Sequence, residues 1–290
     1  GRLPEPAKSL GNQILIGEHS VTVTSFTDLN AISWAELDID VLIDASGVSE
    51  NVLVAKDLTR KGVLRKVVVT HSSKDVDREV ILGVNTDALT KEDSVISSSI
   101  CDANAIAHPL KWIEAAFGIS GGAVTTLHPW LSYQNLVDGP SISQSNPGVV
   151  WGDFALGRAA GESMIPKNTT ALTATEKIIP AIAGKLLSFS YRIPTRTVAS
   201  SDLTLHLESS VTTKQLEQFL NDQCLQSDYV RANYESLVSV DYEQDEASAI
   251  LDLQWIKTMN NTVKLILWYD NEWAYSTRAL ELAEKCLADS

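Results

Sequence analysis

The sequence predicts a parallel α/β domain followed by an α+β domain, on three observations. Short apolar runs alternate with helical spacing over residues 1–100. Longer strands with intervening helices follow from about Ser120, and an amphipathic helix closes the chain. With 290 residues the chain suits one large or two ordinary domains with an ample core. Its apolar content of 44% and charged content of 21% are globular values.

The start, Gly1-Arg2-Leu3-Pro4, lacks an initiator Met, so the chain is expected to be processed or to begin inside a longer protein. Pro4-Glu5-Pro6 reads as extended coil. Gln13 to Phe26 reads as a hairpin, with Ile14-Leu15-Ile16 and Val21-Thr22-Val23 flanking Gly17-Glu18-His19. Val41-Leu42-Ile43-Asp44 is an apolar run ending in a turn at Ser46-Gly47, the pattern of a buried parallel strand. Val52 to Arg60 has helical spacing that Gly62 ends, and Val67 to Thr70 is a second buried strand. This β-α-β order indicates right-handed parallel crossovers. An extended run over Asp93 to Ser99 leads to a helix over Ala105 to Phe117.

Strands are then predicted over Val124 to His128, Leu186 to Arg192, Val198 to Leu207, Ser236 to Tyr242 and Ser248 to Ile256. A last strand, Val263 to Asp270, follows an Asn260-Asn261 hairpin turn. Helices are predicted over Thr173 to Lys185 and Thr213 to Gln223, the second behind a Thr212–Gln215 capping box. The closing helix, Tyr275 to Leu287, carries Ala279, Leu280, Leu282, Ala283 and Leu287 as its apolar stripe.

Charge and composition exclude several classes. A net charge of −14 supplies no basic surplus for a nucleic-acid backbone, so no nucleic-acid partner is expected. No apolar run approaches the roughly 18 residues that span a membrane, and no signal peptide is visible. The three cysteines, at 101, 224 and 286, form neither a disulfide framework nor a zinc pattern, so no metal is expected. They fit a reducing compartment and a cytoplasmic location. The Gly-rich G-x-G-x-x-G turn of a dinucleotide site is absent from the sequence.

Cys101 is the candidate nucleophile. It lies where the extended run gives way to helix, and a helix N-terminus favours thiolate over thiol. Five segments in order surround that candidate: Asp44-Ala45-Ser46-Gly47, Ser99 to Asn104, Thr125-Thr126-Leu127-His128, Tyr191 to Thr195, and Trp268-Tyr269-Asp270-Asn271-Glu272-Trp273. Together they resemble the glyceraldehyde-3-phosphate dehydrogenase family and its relative, erythrose-4-phosphate dehydrogenase, over the whole length of the chain.

The resemblance implies an incomplete Rossmann-type NAD(P)-binding domain over residues 1–100 and a mixed-sheet catalytic domain over 101–270. It implies that the helix of 271–290 returns to the first domain. It makes Cys101, matching the cysteine of S-C-T-T-N, the nucleophile that adds to an aldehyde carbonyl and carries a thioester. His128 becomes the general base with a near-neutral pKa, and the Cys101 amide helps it stabilise the oxyanion. Asn271 would hold the nicotinamide carboxamide and Tyr275 would flank the ring of NAD or NADP, with Ser46, Gly47 and Thr70 nearby. Thr169 and Arg192 match substrate-binding positions. The partners implied are a small-molecule aldehyde and further copies of the chain, as a homotetramer.

The chain departs from the family at the phosphate ligands. Ile100 replaces the serine before the nucleophile and Asp102 the threonine after it. Leu131, Tyr133, Leu156 and Thr170 replace further ligands, while Arg158 is retained. Losing several charge-assisted contacts of roughly 1.5–3 kcal/mol each would largely abolish phosphate affinity. Asp102 should also raise the pKa of Cys101. The expected activity is therefore NAD(P)-dependent oxidation of a less anionic aldehyde. The alternative is a catalytically impaired paralogue acting as a binding or assembly protein.

Overall fold

A computed structural model describes residues 5–142, 149–150, 152 and 154–288. The chain divides into two compact units, residues 1–39 and 40–290. Part of the coil expected at the start, residues 1–4, lies outside the described residues.

The first unit is a three-stranded antiparallel sheet of β1 (Ala7–Leu10), β2 (Gln13–Ile16) and β3 (His19–Thr22), followed by the one-turn helix α1 (Trp34–Leu37). The expected hairpin is present, with Ile16 opposite His19 across Gly17, whose φ is +57°. Strand β1 is an addition. All four of its residues are exposed, so no alternation marks it.

The second unit begins with a parallel sheet of β4 (Val41–Asp44), β5 (Lys66–Val69), β6 (Arg78–Glu79) and β7 (Val95–Ser97), in the order β4-β5-β7-β6. Helix α2 (Glu50–Arg60) makes the crossover from β4 to β5 and stops before Gly62, at φ +71°. Val67, Val68 and Val69 are fully buried, as their run predicts. The run Val41–Ile43 differs from its expectation. It is an edge strand, paired among the described residues with β5, and its residues are only half-buried.

Helix α3 (Cys101–Phe117) begins four residues before the helix its sequence predicts and is buried over most of its first half. Behind it come β8 (Ile119–Pro129), β9 (Ile165–Lys167), α4 (Ala171–Ile178), β10 (Leu186–Ile193) and β11 (Ala199–Leu207). The chain continues through α5 (Thr213–Leu225), β12 (Val230–Asn233), β13 (Ala249–Met259), β14 (Thr262–Tyr269) and α6 (Trp273–Ala288). The strands form one mixed sheet in the order β12-β13-β14-β11-β8-β10-β9. One face carries Leu203, Leu205, Val263 and Leu265 into a common core with Ile106, Leu110 and Ile113 of α3 and Leu216 and Leu220 of α5. Alternation along each strand is what directs these residues to one side.

Three expectations are corrected. Ser236 to Tyr242 is not a strand: Ser239–Tyr242 forms a 3-10 turn, and the Asp241 carboxylate accepts from the Val238 N–H at 2.8 Å. A local side-chain bond there outcompetes a ladder that Val238 and Val240, both exposed, would not have buried. The helix expected over Thr173 to Lys185 ends at Ile178, because Pro180 disfavours the helical conformation of its predecessor. In α6 the buried stripe is Ala274, Arg278, Ala279, Leu282, Ala283 and Cys286, while Leu280 and Leu287 face solvent. Leu282, Ala283 and Cys286 pack on Val68 and Ile96, so the closing helix does return to the parallel sheet. The capping box at Thr212 is present. Among the described residues, no helix is long and apolar enough to cross a membrane.

Candidate active site

A strained turn delivers Cys101 to its place. Ser99, between β7 and α3, has a φ of +60°, a conformation that costs a non-glycine residue energy and persists only when its surroundings over-determine it. Here the Ser97 hydroxyl accepts from the Ser99 N–H at 2.9 Å, and the Tyr275 hydroxyl donates to the Ser99 carbonyl at 2.8 Å. The Asn104 amide donates to the carbonyls of Ser98 and Ile100 at 2.9 and 3.0 Å. Cys101 is thus the first residue of α3. Ile100, at the N-cap, offers no side-chain acceptor, and the Asp102 N–H turns to the Cys101 sulfur.

Sheet register supplies the other partners. Strands β8 and β10 pair in parallel with His128 beside Arg192, both buried. The His128 Nδ1 donates to the Pro129 carbonyl at 3.0 Å, which leaves Nε2 as the acceptor, 3.8 Å from the Cys101 Sγ. The Cys101 thiol also points at the Asp102 Oδ1, 3.7 Å away. That same oxygen accepts from the Tyr269 hydroxyl at 2.7 Å, a bond between α3 and β14 in the protein interior.

These neighbours set the protonation states. Burial pushes the Cys101 thiol well above its usual pKa, and the Asp102 charge adds to the rise. The Asp102 N–H and Arg192 pull the other way and are outweighed, so the favourable helix N-terminus does not prevail; the opposing effect expected of Asp102 is present. Burial lowers His128 to about 4, with Arg192 acting in the same direction and Asp102 against it. That corrects the near-neutral imidazole the sequence predicts: the ring is uncharged at physiological pH.

A cleft of about 400 Å³ opens over the thiol and brings together Cys101, His128, Thr169, Arg192 and Asn271. The Thr169 hydroxyl accepts from the Ala171 N–H at 3.1 Å at the start of α4. Arg192 keeps a buried Nε without a partner, and Asn271 a buried Oδ1 in the same state. Ile100, Asp102, Leu131 and Thr170 also line the cleft, whereas Tyr133, Leu156 and Arg158 do not. Arg158 instead pairs with Asp138 at 2.9 Å. Tyr275 lies on the other side of Cys101, tied to Ser99 and, at 2.8 Å, to the Ser98 hydroxyl.

Ser46, Gly47 and Thr70 stand apart from the cleft, at the carboxyl ends of β4 and β5, where ligands of open parallel sheets bind. Gly47 has a φ of +69° with open space where a Cβ would point, so backbone conformation rather than crowding calls for glycine. Lys167, Asn168, Ser190 and Glu272 line the cleft as well and were not expected. Lys167 lies in a three-residue strand containing Pro166, a composition that argues against a strand. Its only signal is register, opposite Ser190 and two residues from Arg192.

Residues 100–271 match the family model described as the C-terminal domain of glyceraldehyde 3-phosphate dehydrogenase. The chain is 35% identical over 273 residues to the cytosolic glyceraldehyde-3-phosphate dehydrogenase of Sinapis alba, covering 93% of this chain and 77% of that protein. It is 32% identical over 288 residues to glyceraldehyde-3-phosphate dehydrogenase 2 of Staphylococcus aureus, covering 98% and 81%. A cytosolic enzyme of Zea mays with the same activity in its name is 35% identical over 273 residues.

Proposed function

This chain belongs to the glyceraldehyde-3-phosphate dehydrogenase family, and from that premise we propose that it oxidises an aldehyde through a thioester on Cys101, with NAD or NADP as cofactor. The observation that carries the reading is the Cys101 Sγ set 3.8 Å from an imidazole nitrogen whose lone pair is free to accept its proton. As sulfur bonds to the carbonyl carbon, the thiol proton passes to the His128 Nε2. The new oxygen then lies beside two donors, the imidazolium N–H and the Cys101 amide, which meet its developing charge. The acyl group stays on sulfur until water or another acceptor takes it.

The cofactor fits the residues present. The buried, unmatched Oδ1 of Asn271 suits the N–H of a nicotinamide carboxamide, and Ser46, Gly47 and Thr70 lie at the strand ends where such a ligand would extend. A bound nicotinamide dinucleotide would supply the two-electron acceptor. Tyr275 acts through the turn, holding the Ser99 carbonyl so that Cys101 keeps its position. On this reading residues 1–100 contribute to cofactor binding, 101–270 to catalysis, and 271–290 tie the two. A cytoplasmic homotetramer is part of the same proposal.

The substrate is a small aldehyde with less negative charge than a triose phosphate. Asp102 and the apolar Ile100 and Leu131 line the cleft where phosphate ligands are expected, and Arg192 remains to hold one carboxylate or phosphate. With full-length protein, a broad aldehyde panel should yield reduced cofactor, and iodoacetamide should label Cys101 stoichiometrically. No turnover with any aldehyde and either cofactor would sink the enzyme reading. It would favour the second one, an impaired paralogue used for binding or assembly, which the raised thiol pKa supports.

A further inference from the structure

Cys101, Asp102 and His128 hold their sulfur, carboxylate oxygen and imidazole nitrogen within 4.8 Å of one another. We propose that these three side chains form a site for a thiophilic divalent transition-metal ion of the zinc class, which reversibly blocks the thiol. The spacing fits such an ion. Zinc bonds of about 2.3 Å to sulfur and about 2.0 Å to nitrogen or oxygen, at tetrahedral angles, separate the ligand atoms by about 3.5 Å. The sulfur lies 3.8 Å from the His128 Nε2 and 3.7 Å from the Asp102 Oδ1. Shifts of a few tenths of an ångström, within the reach of side-chain rotation, bring all three onto one ion.

Two outer hydrogen bonds already orient these groups as metal ligands are oriented. The Pro129 carbonyl holds the Nδ1–H of His128 at 3.0 Å and so presents the Nε2 lone pair to the sulfur. The Tyr269 hydroxyl holds the Asp102 Oδ1 at 2.7 Å, with Ser201 behind it at 3.2 Å. Partners of this kind, a carbonyl on the imidazole and a donor on the carboxylate, fix ligand geometry in metal sites. The donor set of thiolate, imidazole and carboxylate suits Zn²⁺ or Co²⁺ better than Mg²⁺ or Ca²⁺. On binding, the ion takes the place of the thiol proton, which passes to solvent, and no electrons move. The thiolate and carboxylate together balance the two charges of the ion. The cleft of about 400 Å³ gives an entry path and room for water at the fourth position. Arg192 and Lys167 also line it, so the site depends on Asp102 as its second anion.

The test is a titration of the full-length protein with Co²⁺, followed by displacement with Zn²⁺. One Co²⁺ per chain is expected, with a sulfur-to-cobalt charge-transfer band in the near ultraviolet. Zn²⁺ should remove the band and slow Cys101 alkylation by iodoacetamide at least tenfold. Cys101→Ser should abolish the band. Asp102→Asn and, as a second carboxylate-free variant, Asp102→Thr should each weaken Zn²⁺ binding by about 10–100-fold or more, with melting temperatures checked for folding. No band in the wild type, a band that persists in Cys101→Ser and so belongs to Cys224 or Cys286, or unchanged Zn²⁺ affinity in a folded Asp102 variant would each overturn the proposal. The readout is ion binding, so its outcome is independent of whether the chain turns over an aldehyde.

Discussion

Asp102 governs the chemistry of its neighbour. Its carboxylate lies in contact with the thiol and adds to the effect of burial in raising the Cys101 pKa. Removing a like charge favours the thiolate, so Asp102→Thr should speed alkylation of Cys101 by iodoacetamide at pH 7, roughly tenfold for each unit by which the pKa falls. A rate equal to that of the wild type would show that burial alone sets the thiol. Two buried histidines make a separate prediction. Burial holds His128 at about 4 and His108 at about 3, the latter with help from Arg278 and Lys111. Both values lie below that of an unfolded histidine, about 6.5, so below that pH the unfolded chain binds more protons and stability falls as pH falls. Each histidine contributes up to about 1.4 kcal/mol per pH unit down to its folded pKa. Urea unfolding at pH 7 and pH 5 should therefore differ by on the order of 3 kcal/mol, and equal midpoints would exclude the effect. Cys101 and His128 were legible because their residue types sit in recognisable strings. The Tyr269–Asp102 bond was not, since its partners lie 167 positions apart and neither shows a local sign of the other.

At the scale of elements, the turn from β7 into α3 bears the greatest strain and the densest support. Asn104 spans two carbonyls of that turn, and both would be left without their side-chain donor in Asn104→Ala. The change should cost about 1–3 kcal/mol. Thr212→Ala, at the exposed cap of α5, should cost about 1 kcal/mol. Chemical denaturation of the two variants compares them directly, and an Asn104 loss no larger than the cap loss would contradict the role given to the turn. Elements with a strong local signature were legible: the hairpin at Gly17, the buried Val67–Val69 run and the Thr212 box. Strands β6, β9 and β12, of two to four residues, were not, because so few residues establish no period and their partners supply the order. Ser236 to Tyr242 failed for a related reason, its apolar residues having no face to bury.

For the whole molecule, α3 lies at the centre of the second unit, with the mixed sheet on one flank and α6 among its neighbours. The other face of that sheet is less covered. On β10, Leu187 is 75% exposed and Phe189 43% exposed, two residues apart on one side, with Tyr191 edge-on to Phe189. Apolar exposure of this kind fits association with further copies of the chain. Light scattering coupled to size exclusion should report a tetramer, and Leu187→Lys should shift it toward smaller species; a monomeric wild type would refute the assembly. The two-layer plan was visible in the order of strands and helices. The edge position of β4 was not, since an apolar run looks the same at the rim of a sheet as at its centre.

The register that sets His128 beside Arg192 divides the site by how each part can change over generations. That pair is carried by backbone pairing, so only a slip of β8 against β10 would separate the two, and such a slip would also turn every core residue of the strand outward. Ile100, Asp102, Leu131 and Thr170 lie at the ends of elements, where one codon changes the cleft and leaves the sheet intact. Lineages that keep this fold can therefore drift in what they bind far faster than in where their base and cation stand.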